Sequence, residues 1–249
     1  MRTEDTNTTY EHLCKMLDNN KRIYYSRFGD GDFYIMNGRR EKMHQHSPEL
    51  ERELTEAFLI EDPLYLRGAM VNYPPEPGMR PGLFAPPSDN SMIEHWLINN
   101  QKIPPSTTFY SHIMFHYISV FKQDKMKHFL NTYIRPRTKM FIGAVPKEAI
   151  EKLVGPIDFY VNVPERDAYY TIDDWYPSIL ENIDKVDLCL PAAGMAGRVI
   201  QKRLWKLDKD IHSIDLGSVI DAACNVSSRT WIDLVDQGDA SSKISNLLL

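Results

Sequence analysis

The fold of this chain is decided by the stretch Ile23-Tyr24-Tyr25-Ser26-Arg27-Phe28-Gly29-Asp30-Gly31-Asp32-Phe33. Its first six residues predict a strand, and the Gly-Asp-Gly-Asp corner predicts the end of that strand, because glycine and aspartate favour turns. Asp30 and Asp32 then lie at the strand's carboxyl end, where α/β sheets bind their ligands. Paired carboxylates suit Mg²⁺ or Mn²⁺. We therefore expect Asp30 and Asp32 to hold a divalent ion against a phosphate, with Arg27, Gly29 and Gly31 in the same corner.

The rest of the chain predicts strands and helices in alternation. A helix over 10–17 precedes the first strand, and a helix over 48–60 and a strand over 64–71 follow it. Further strands are predicted over 139–145, 157–163, 185–190 and 211–216, and further helices over 146–153, 168–183 and 195–207. This order is typical of a mainly parallel sheet covered by helices on both faces. The sequence therefore predicts an α/β fold with a Rossmann-like sheet, in a single domain over residues 1–249.

The middle of the chain is less regular. Residues 73–87 contain six prolines and two glycines, which predict a long loop because proline blocks both helices and strand ladders. Such a loop could contact an acceptor or simply connect two elements at the surface. Helices are predicted over 91–99 and 112–130.

The composition excludes several classes of protein. Of the 249 residues, 43% are hydrophobic, which is enough for a large core, and the net charge of -5 argues against bare nucleic acid as a partner. The three cysteines lack C-x-x-C spacing, and His112 and His116 lack the glutamate of a zinc protease between them. The polar start and the lack of about 18 consecutive apolar residues predict a cytoplasmic protein with no export signal and no membrane span. The oligomeric state is left open.

Asp30 and Asp32 have two other interpretations. The Gly-Asp-Gly-Asp segment could be an ordinary tight turn. It could also open a calcium-binding EF-hand loop, but Tyr34 and Ile35 stand where that loop needs an oxygen ligand and a glycine. A binding site is favoured because adjacent carboxylates repel each other unless a cation or hydrogen-bond donors neutralise them.

A second glycine-containing turn follows the strand predicted over 185–190. The segment Ala192-Ala193-Gly194-Met195-Ala196-Gly197 opens a helix, and Asp215 lies eighteen residues beyond it. Small residues there let a phosphate approach the amino end of the helix, whose free N–H groups favour anions. The turn therefore predicts Gly194 and Gly197 in a nucleotide-diphosphate site, in a nicotinamide site, or only in close packing of the helix on the strand.

Two further strand ends carry polar residues. The segment Asp215-Leu216-Gly217-Ser218-Val219-Ile220-Asp221 offers two acids, a hydroxyl and backbone N–H groups at the edge that holds Asp30. Gly217 and Ser218 are therefore candidates for ligand binding. Asp221 could bind the ion or a ribose, act as a base, or cap a helix. In the turn after the strand over 157–163, Arg166 and Asp167 either join the same pocket or cap the next helix.

Taken in order, these segments resemble the bacterial glycosyltransferases of the GT-D fold, a family first catalogued as a domain of unknown function. Arg27-Phe28-Gly29-Asp30-Gly31-Asp32 is similar to the family's Arg-Phe-Gly-Asp-Gly-Glu motif after the first strand. Three later segments are similar to the family's other strand ends: Val163-Pro164-Glu165-Arg166-Asp167-Ala168, Leu188-Cys189-Leu190-Pro191-Ala192-Ala193-Gly194 and Asp215-Leu216-Gly217. The resemblance covers residues 22 to about 221.

The resemblance implies a transferase in which Asp30 and Asp32 help to bind Mn²⁺ or Mg²⁺ and the sugar nucleotide. The chain departs from the family pattern in three places. Asp32 replaces a glutamate, Ser218 stands where many members have a histidine, and Ala222-Ala223-Cys224-Asn225 replaces an acidic, aromatic segment.

The sequence therefore predicts an enzyme that moves a hexosyl or pentosyl group from a nucleoside-diphosphate sugar to a glycan or glycoconjugate acceptor. The metal would neutralise charge on the leaving diphosphate, and Asp215 or Asp221 would act as the base. Two alternatives stay open. One is an NAD(P)-dependent oxidoreductase that uses the turn from Ala192 to Gly197, and the other is a non-catalytic module that binds nucleotide sugars.

Overall fold

The computed structural model describes residues 1–19, 22–41, 44–84, 103–226 and 228–236, together with Ile93, Trp96, Leu97, Asn99, Ile244 and Leu247. The strands are β1 (Arg2–Thr3), β2 (Tyr24–Arg27), β3 (Tyr65–Gly68), β4 (Thr108–Phe109), β5 (Lys139–Gly143), β6 (Phe159–Asn162), β7 (Leu188–Ala192) and β8 (His212–Ile214). The helices are α1 (Thr6–Asp18), α2 (Asp30–Met36), α3 (Pro48–Phe58), α4 (Met114–Phe121), α5 (Gln123–Phe129), α6 (Lys147–Val154), α7 (Ile172–Asn182), α8 (Met195–Lys206), α9 (Val219–Ala223) and α10 (Thr230–Asp236).

Six strands form one sheet in the order β3-β2-β8-β7-β5-β6, and β1 pairs separately with β4. Every pair in both sheets is parallel, with Tyr24 opposite Tyr65 in the first pair and Lys139 opposite Leu188 in the fourth. Four of the six strands, β2, β3, β5 and β8, are buried along their whole length, as parallel strands covered on both faces must be. The predicted α/β fold with a mainly parallel, Rossmann-like sheet is confirmed.

Helices cover both faces of the six-stranded sheet. Helix α3 packs against α8, while α6 packs against α9 and α1 packs against α4. The β2-to-β3 and β7-to-β8 connections run in one direction along the sheet and the β5-to-β6 connection runs in the other. Right-handed crossovers therefore place α3 and α8 on the face opposite to α6. The buried apolar side chains of both faces belong to one cluster.

Several predicted boundaries are wrong for local reasons. The helix predicted over 112–130 is two helices, because Lys122 leaves the helical region with φ −143° and ψ 58°. A π-helical turn, Leu130–Ile134, continues α5. Helix α2 begins at Asp30, so the two acids belong to its first turn and not to the end of a strand. The two-residue strands and helices α9 and α10 were not predicted at all.

The long loop predicted over 73–87 is confirmed for residues 73–84, the part that the structure describes. Residues 73–84 contain no helix and only isolated bridges between Arg80 and residues 83 and 84. Its last three predicted residues, 85–87, lie outside the described residues, as does much of the helix predicted over 91–99. Within the described part of the chain, no helix combines the length and the apolar character needed to cross a membrane.

Candidate functional site

The carboxyl ends of β2, β8 and β7 meet at one edge of the sheet, because these three strands are neighbours. Arg27 is the last residue of β2, and Asp215 follows directly after β8. Gly194 precedes α8, which starts at Met195 without a side chain capping its amino end. The structure thus brings three of the predicted segments together, as their positions at strand ends indicated.

Two arginines and two aspartates form a buried network at this edge. Arg27 lies 3.6 Å from Asp215 through its Nη1 atom, and Arg198 lies 3.5 Å from the other oxygen of Asp215. Arg198 also lies 3.4 Å from Asp32 and donates hydrogen bonds to the backbone carbonyls of Arg27 and Gly194. Each buried acid thus has an arginine beside it, which offsets the cost of removing both groups from water. Arg198 had not been predicted, because nothing in the sequence marks a helix arginine as facing inward.

Asp30 and Asp32 do not converge. Residues two apart on a helix point about 200° apart around its axis, and here Asp30 is exposed while Asp32 is buried. One oxygen of Asp32 accepts a hydrogen bond from the N–H of Gly29 at 2.8 Å, and the other faces Arg198. Burial raises the pKa of Asp32, and Arg198 and the Gly29 N–H oppose that rise. Its carboxylate therefore caps a helix and pairs with an arginine.

This geometry does not fit a metal ion held jointly by Asp30 and Asp32. Among the described residues, no group of three or more His, Cys, Asp or Glu side chains is arranged to hold an ion. Asp30 alone presents its carboxylate to solvent at the sheet edge, where its Oδ1 atom accepts the N–H of Gly31 at 2.9 Å. The prediction that both acids bind one ion is thus corrected: Asp30 is exposed, and Asp32 pairs with Arg198 in the buried network.

Gly217 and Gly194 occur where a side chain would collide with the site. Both have positive φ, 62° and 55° respectively. A Cβ atom on Gly217 would lie 1.4 Å from the Arg27 Nη1 atom, so the guanidinium passes directly over this glycine. A Cβ atom on Gly194 would lie 2.8 Å from the Nε2 atom of His44. A Cβ atom on Gly197, in contrast, would lie 3.4 Å from the Cβ atom of Pro191. This is the close packing of helix on strand that the sequence offered as one of three interpretations.

His116 was missed as a member of this site. Its imidazole lies between the ring of Phe84, stacked at 5.9 Å, and the Arg27 Nη2 atom, which is 3.3 and 3.4 Å from the two ring nitrogens. The Arg27 Nη2 atom is thus within hydrogen-bonding distance of both ring nitrogens. Burial, with the charge of Arg27, lowers the pKa of His116 well below its ordinary value. The neutral ring thus supports Arg27. The sequence shows that His112 and His116 are four residues apart, but that spacing suggested only a zinc site.

Ser218 connects His116 to the last helix. Its hydroxyl lies 3.1 Å from His116 Nε2 and accepts a hydrogen bond from the Trp231 indole at 2.9 Å. The Ser218 hydroxyl therefore links the imidazole of His116 to the indole of Trp231. The Trp231 ring also lies 5.0 Å from the ring of His116. Ser218 is where the sequence placed it, but it is enclosed by side chains that no local pattern predicted.

Asp221 lies at the same edge, in the single turn of helix that follows β8. Its Oδ2 atom accepts a hydrogen bond from the Ser228 hydroxyl. Burial raises the pKa of Asp221, while Ser228 and Arg229 oppose the rise. Asp215, the other predicted base, is already held by Arg27, Arg198 and the N–H of Gly217 at 2.7 Å. Among the described residues, Asp221 lacks the two arginine ion pairs that hold Asp215, and its Oδ1 atom lies outside the hydrogen bond from Ser228.

The turn after β6 contributes less than the sequence predicted. Arg166 is exposed. Asp167 adopts φ 52° and accepts a hydrogen bond from the N–H of Gln45 at 2.8 Å, so it anchors the segment 44–47 over the sheet edge. Gly31 lies beneath Glu41 and Met195, whose side chains are 3.1 and 3.4 Å from the position of a Cβ atom. These residues shape the rim of the site.

Comparison with known proteins identifies the fold. No protein-family model matches the chain, and no curated protein sequence is significantly similar to it. A structure described as "A New Glycosyltransferase (DUF1792) from Streptococcus sanguinis" matches with a TM-score of 0.63 and 16% identity, over 96% of this chain and 86% of that one.

A second structure, described by the words "the highly conserved domain of unknown function 1792 has a distinct glycosyltransferase fold", matches with a TM-score of 0.62 and 15% identity, over 96% and 83% of the two chains. The chain therefore has the fold of these structures, which confirms the fold that the sequence resemblance implied.

Proposed function

We propose that this protein is a glycosyltransferase of the DUF1792 type, which transfers a sugar from a nucleoside-diphosphate sugar to a glycan or glycoconjugate acceptor. The observation that carries the proposal is the match of 96% of the chain to structures described as glycosyltransferases. The site adds support, because its charged and hydroxyl side chains collect at the carboxyl edge of a parallel sheet, where such folds bind ligands.

The amino end of α8 is the natural place for the donor's diphosphate. The helix has twelve residues and begins beside Gly194 with no capping side chain, so its first N–H groups and its dipole favour an anion. The side chains of Arg27, Asp32, Arg198 and Asp215 at the same edge are already engaged in ion pairs with one another. We propose that this network holds the ends of β2 and β8 in place.

Asp221 is the proposed base. An inverting transfer needs a group that takes the proton of the acceptor hydroxyl as the new glycosidic bond forms. Asp221 has one oxygen outside its hydrogen bond to Ser228, and burial raises its pKa towards the range in which a carboxylate accepts a proton readily. Mn²⁺ or Mg²⁺ remains part of the proposal only through Asp30, the one acid of the motif that is exposed.

A ligand screen combined with one substitution tests this function. Titration calorimetry against UDP-, GDP- and dTDP-sugars, with Mn²⁺ and with EDTA, should identify one nucleotide that binds. With that donor, Asp221→Asn should lower kcat by about a hundredfold or more, the ordinary worth of a general base, while leaving donor affinity unchanged. Asp184→Asn, an exposed acid beyond the end of α7, is the control.

The alternatives give different results in the same screen. A nicotinamide-dependent oxidoreductase would bind NAD(P)H and ignore the sugar nucleotides. A non-catalytic module would bind a sugar nucleotide and release no nucleoside diphosphate when acceptors are added. Either result would contradict the proposal.

A further inference from the structure

The segment from Ser228 to Trp231 is fixed at the site from both ends. The Ser228 hydroxyl donates a hydrogen bond to Asp221, and the Trp231 indole donates one to Ser218. The Trp231 ring packs against His116 and, at 5.3 Å, against Phe84. Arg229 lies between these two anchors, so its backbone is held at the carboxyl edge of the sheet.

Among the described residues, Arg229 forms no direct ion pair, although its charge opposes the rise that burial causes in the pKa of the nearby acid Asp221. The Arg229 side chain is exposed, and its hydrogen bond within the described residues is donated to the Ser228 carbonyl at 3.1 Å. Burial is the main reason that the pKa values of His44 and His116 are lowered, and the charge of Arg229 adds to both shifts. The charge of Arg229 therefore acts on His44 and His116 as well as on Asp221.

A second group points to an anion at the same place. His44 is only 8% exposed and lies against Gly194, directly before the amino end of α8. Its Nδ1 atom is buried and makes no hydrogen bond within the described part of the chain. The uncapped end of α8, the unpartnered Nδ1 atom of His44 and the exposed Arg229 guanidinium thus belong to the same region of the sheet edge. Phosphate oxygens would satisfy all three.

We propose that Arg229, together with the amino end of α8 and His44, binds the diphosphate of the sugar donor and neutralises its charge as it leaves. This inference rests on the proposed function and adds to it the residue that stabilises the leaving group. During transfer, the bond between the anomeric carbon and the β-phosphate oxygen breaks, and its electron pair stays on that oxygen. The acceptor oxygen bonds to the anomeric carbon and gives its proton to Asp221.

A fixed guanidinium is well suited to this position. It is planar, permanently charged and able to donate two parallel hydrogen bonds to phosphate oxygens. The sequence predicted that a metal ion on Asp30 and Asp32 would supply this positive charge. Asp32 is already paired with Arg198, and in this proposal Arg229 supplies the charge. Because the guanidinium lies where charge develops in the transition state, removing it should cost more in turnover than in donor binding.

The test compares Arg229→Gln with Arg52→Gln, an exposed arginine of α3 that pairs with Glu56. Calorimetry with inorganic pyrophosphate and with the nucleoside diphosphate should show at least a tenfold weaker Kd for Arg229→Gln and an unchanged Kd for Arg52→Gln. Steady-state transfer should fall about a hundredfold in kcat for Arg229→Gln. Arg229→Lys should recover part of the affinity and part of the kcat, since lysine restores the positive charge but cannot donate two parallel hydrogen bonds.

The outcomes separate the two proposals. Arginine-dependent pyrophosphate binding supports the anion site even where the wild-type protein transfers no sugar, and in that case the proposed function alone fails. Equal pyrophosphate affinity in wild type and in Arg229→Gln overturns the inference, whatever the transfer rate. Both variants change an exposed side chain, and an unchanged far-UV spectrum and Tm confirm that they fold.

Discussion

At the scale of single residues, Gly217 makes room for Arg27. The Arg27 guanidinium occupies the volume that any side chain at position 217 would need, and there it reaches Asp215 and contacts the ring nitrogens of His116. A larger residue must therefore push the guanidinium away from both partners. It must also adopt φ 62°, a backbone conformation that residues other than glycine adopt at a cost.

Gly217→Ala should consequently disable the site without unfolding the protein. We expect the transfer rate to fall by about a hundredfold, since displacements of about 1 Å in a reacting geometry have effects of that size. Gly38→Ala is a matched control, because Gly38 has φ 73° but its added Cβ atom would meet only Glu51, at 4.0 Å. In thermal melts Gly38→Ala should lose only the cost of its positive φ, and Gly217→Ala should lose more, because it also displaces a buried arginine from its ion pair. Equal activity in the two variants would show that Arg27 does not need its present position.

The same scale shows the limit of sequence reasoning about the Asp-Gly-Asp motif. Its location was predictable, because a buried strand ending in glycine and aspartate has few alternatives. The directions of the two carboxylates were not, because they depend on where helix α2 begins. The helix starts at Asp30 because Gly29 is extended and Asp32 returns to cap its N–H, and this separates the acids.

At the scale of elements, α3 and α8 are joined by charged side chains. Glu53, buried on α3, pairs with Lys202 at 2.7 Å and with Arg203 on α8. Glu56 pairs with Lys202 and Lys206, both at 2.9 Å. Burial alone would raise the pKa of Glu53, but the hydrogen bonds from Arg203 and Lys202 lower it to about 2. This clamp holds α8, whose amino end borders the proposed diphosphate site.

Glu53→Gln should therefore destabilise the protein in a pH-dependent way. The loss should be about 2 kcal/mol at pH 7, because Lys202 keeps Glu56 as a partner and the full penalty of a broken buried pair is not reached. A carboxyl whose pKa falls on folding stabilises above its unfolded pKa of 4.5, and that stabilisation disappears as the pH falls towards 2. Urea unfolding at pH 7 and at pH 3 measures the difference. Glu49→Gln, exposed on the same helix, should show no such trend.

Helices α9 and α10 explain why part of the site was invisible in the sequence. Helix α9 is one turn of five residues, too short for a periodic pattern, and α10 has seven. Their positions depend on contacts of Trp231 with His116, which lies more than a hundred residues earlier in the chain. No local rule links those two residues, and Arg229 could only be recognised once they were seen together.

At the scale of the whole molecule, the sheet separates two regions that a ligand could occupy. The carboxyl edge carries Arg229, Asp221 and the start of α8. Elsewhere, a groove of about 370 Å³ is lined by residues 61–67 and 104–110, beside the amino end of the edge strand β3. A four-residue strand is about 13 Å long, so a small ligand in one region does not contact the other. The parallel direction of the strands, which the alternating pattern predicted, places all their carboxyl ends at one edge and sets this separation.

Hydrogen exchange with and without the nucleoside diphosphate should show which region binds. If the donor lies at the carboxyl edge, its phosphates will order the amides of residues 29–34, 194–198 and 217–231, and mass spectrometry will find slower exchange in peptides from those ranges. Exchange in 61–67 and 104–110 should stay unchanged, because no contact of the ligand reaches the amino end of β3. Protection confined to 61–67 and 104–110 would place the ligand in the groove and refute the site. If the protection of the carboxyl edge disappears in Arg229→Gln, the binding that causes this protection depends on the Arg229 guanidinium.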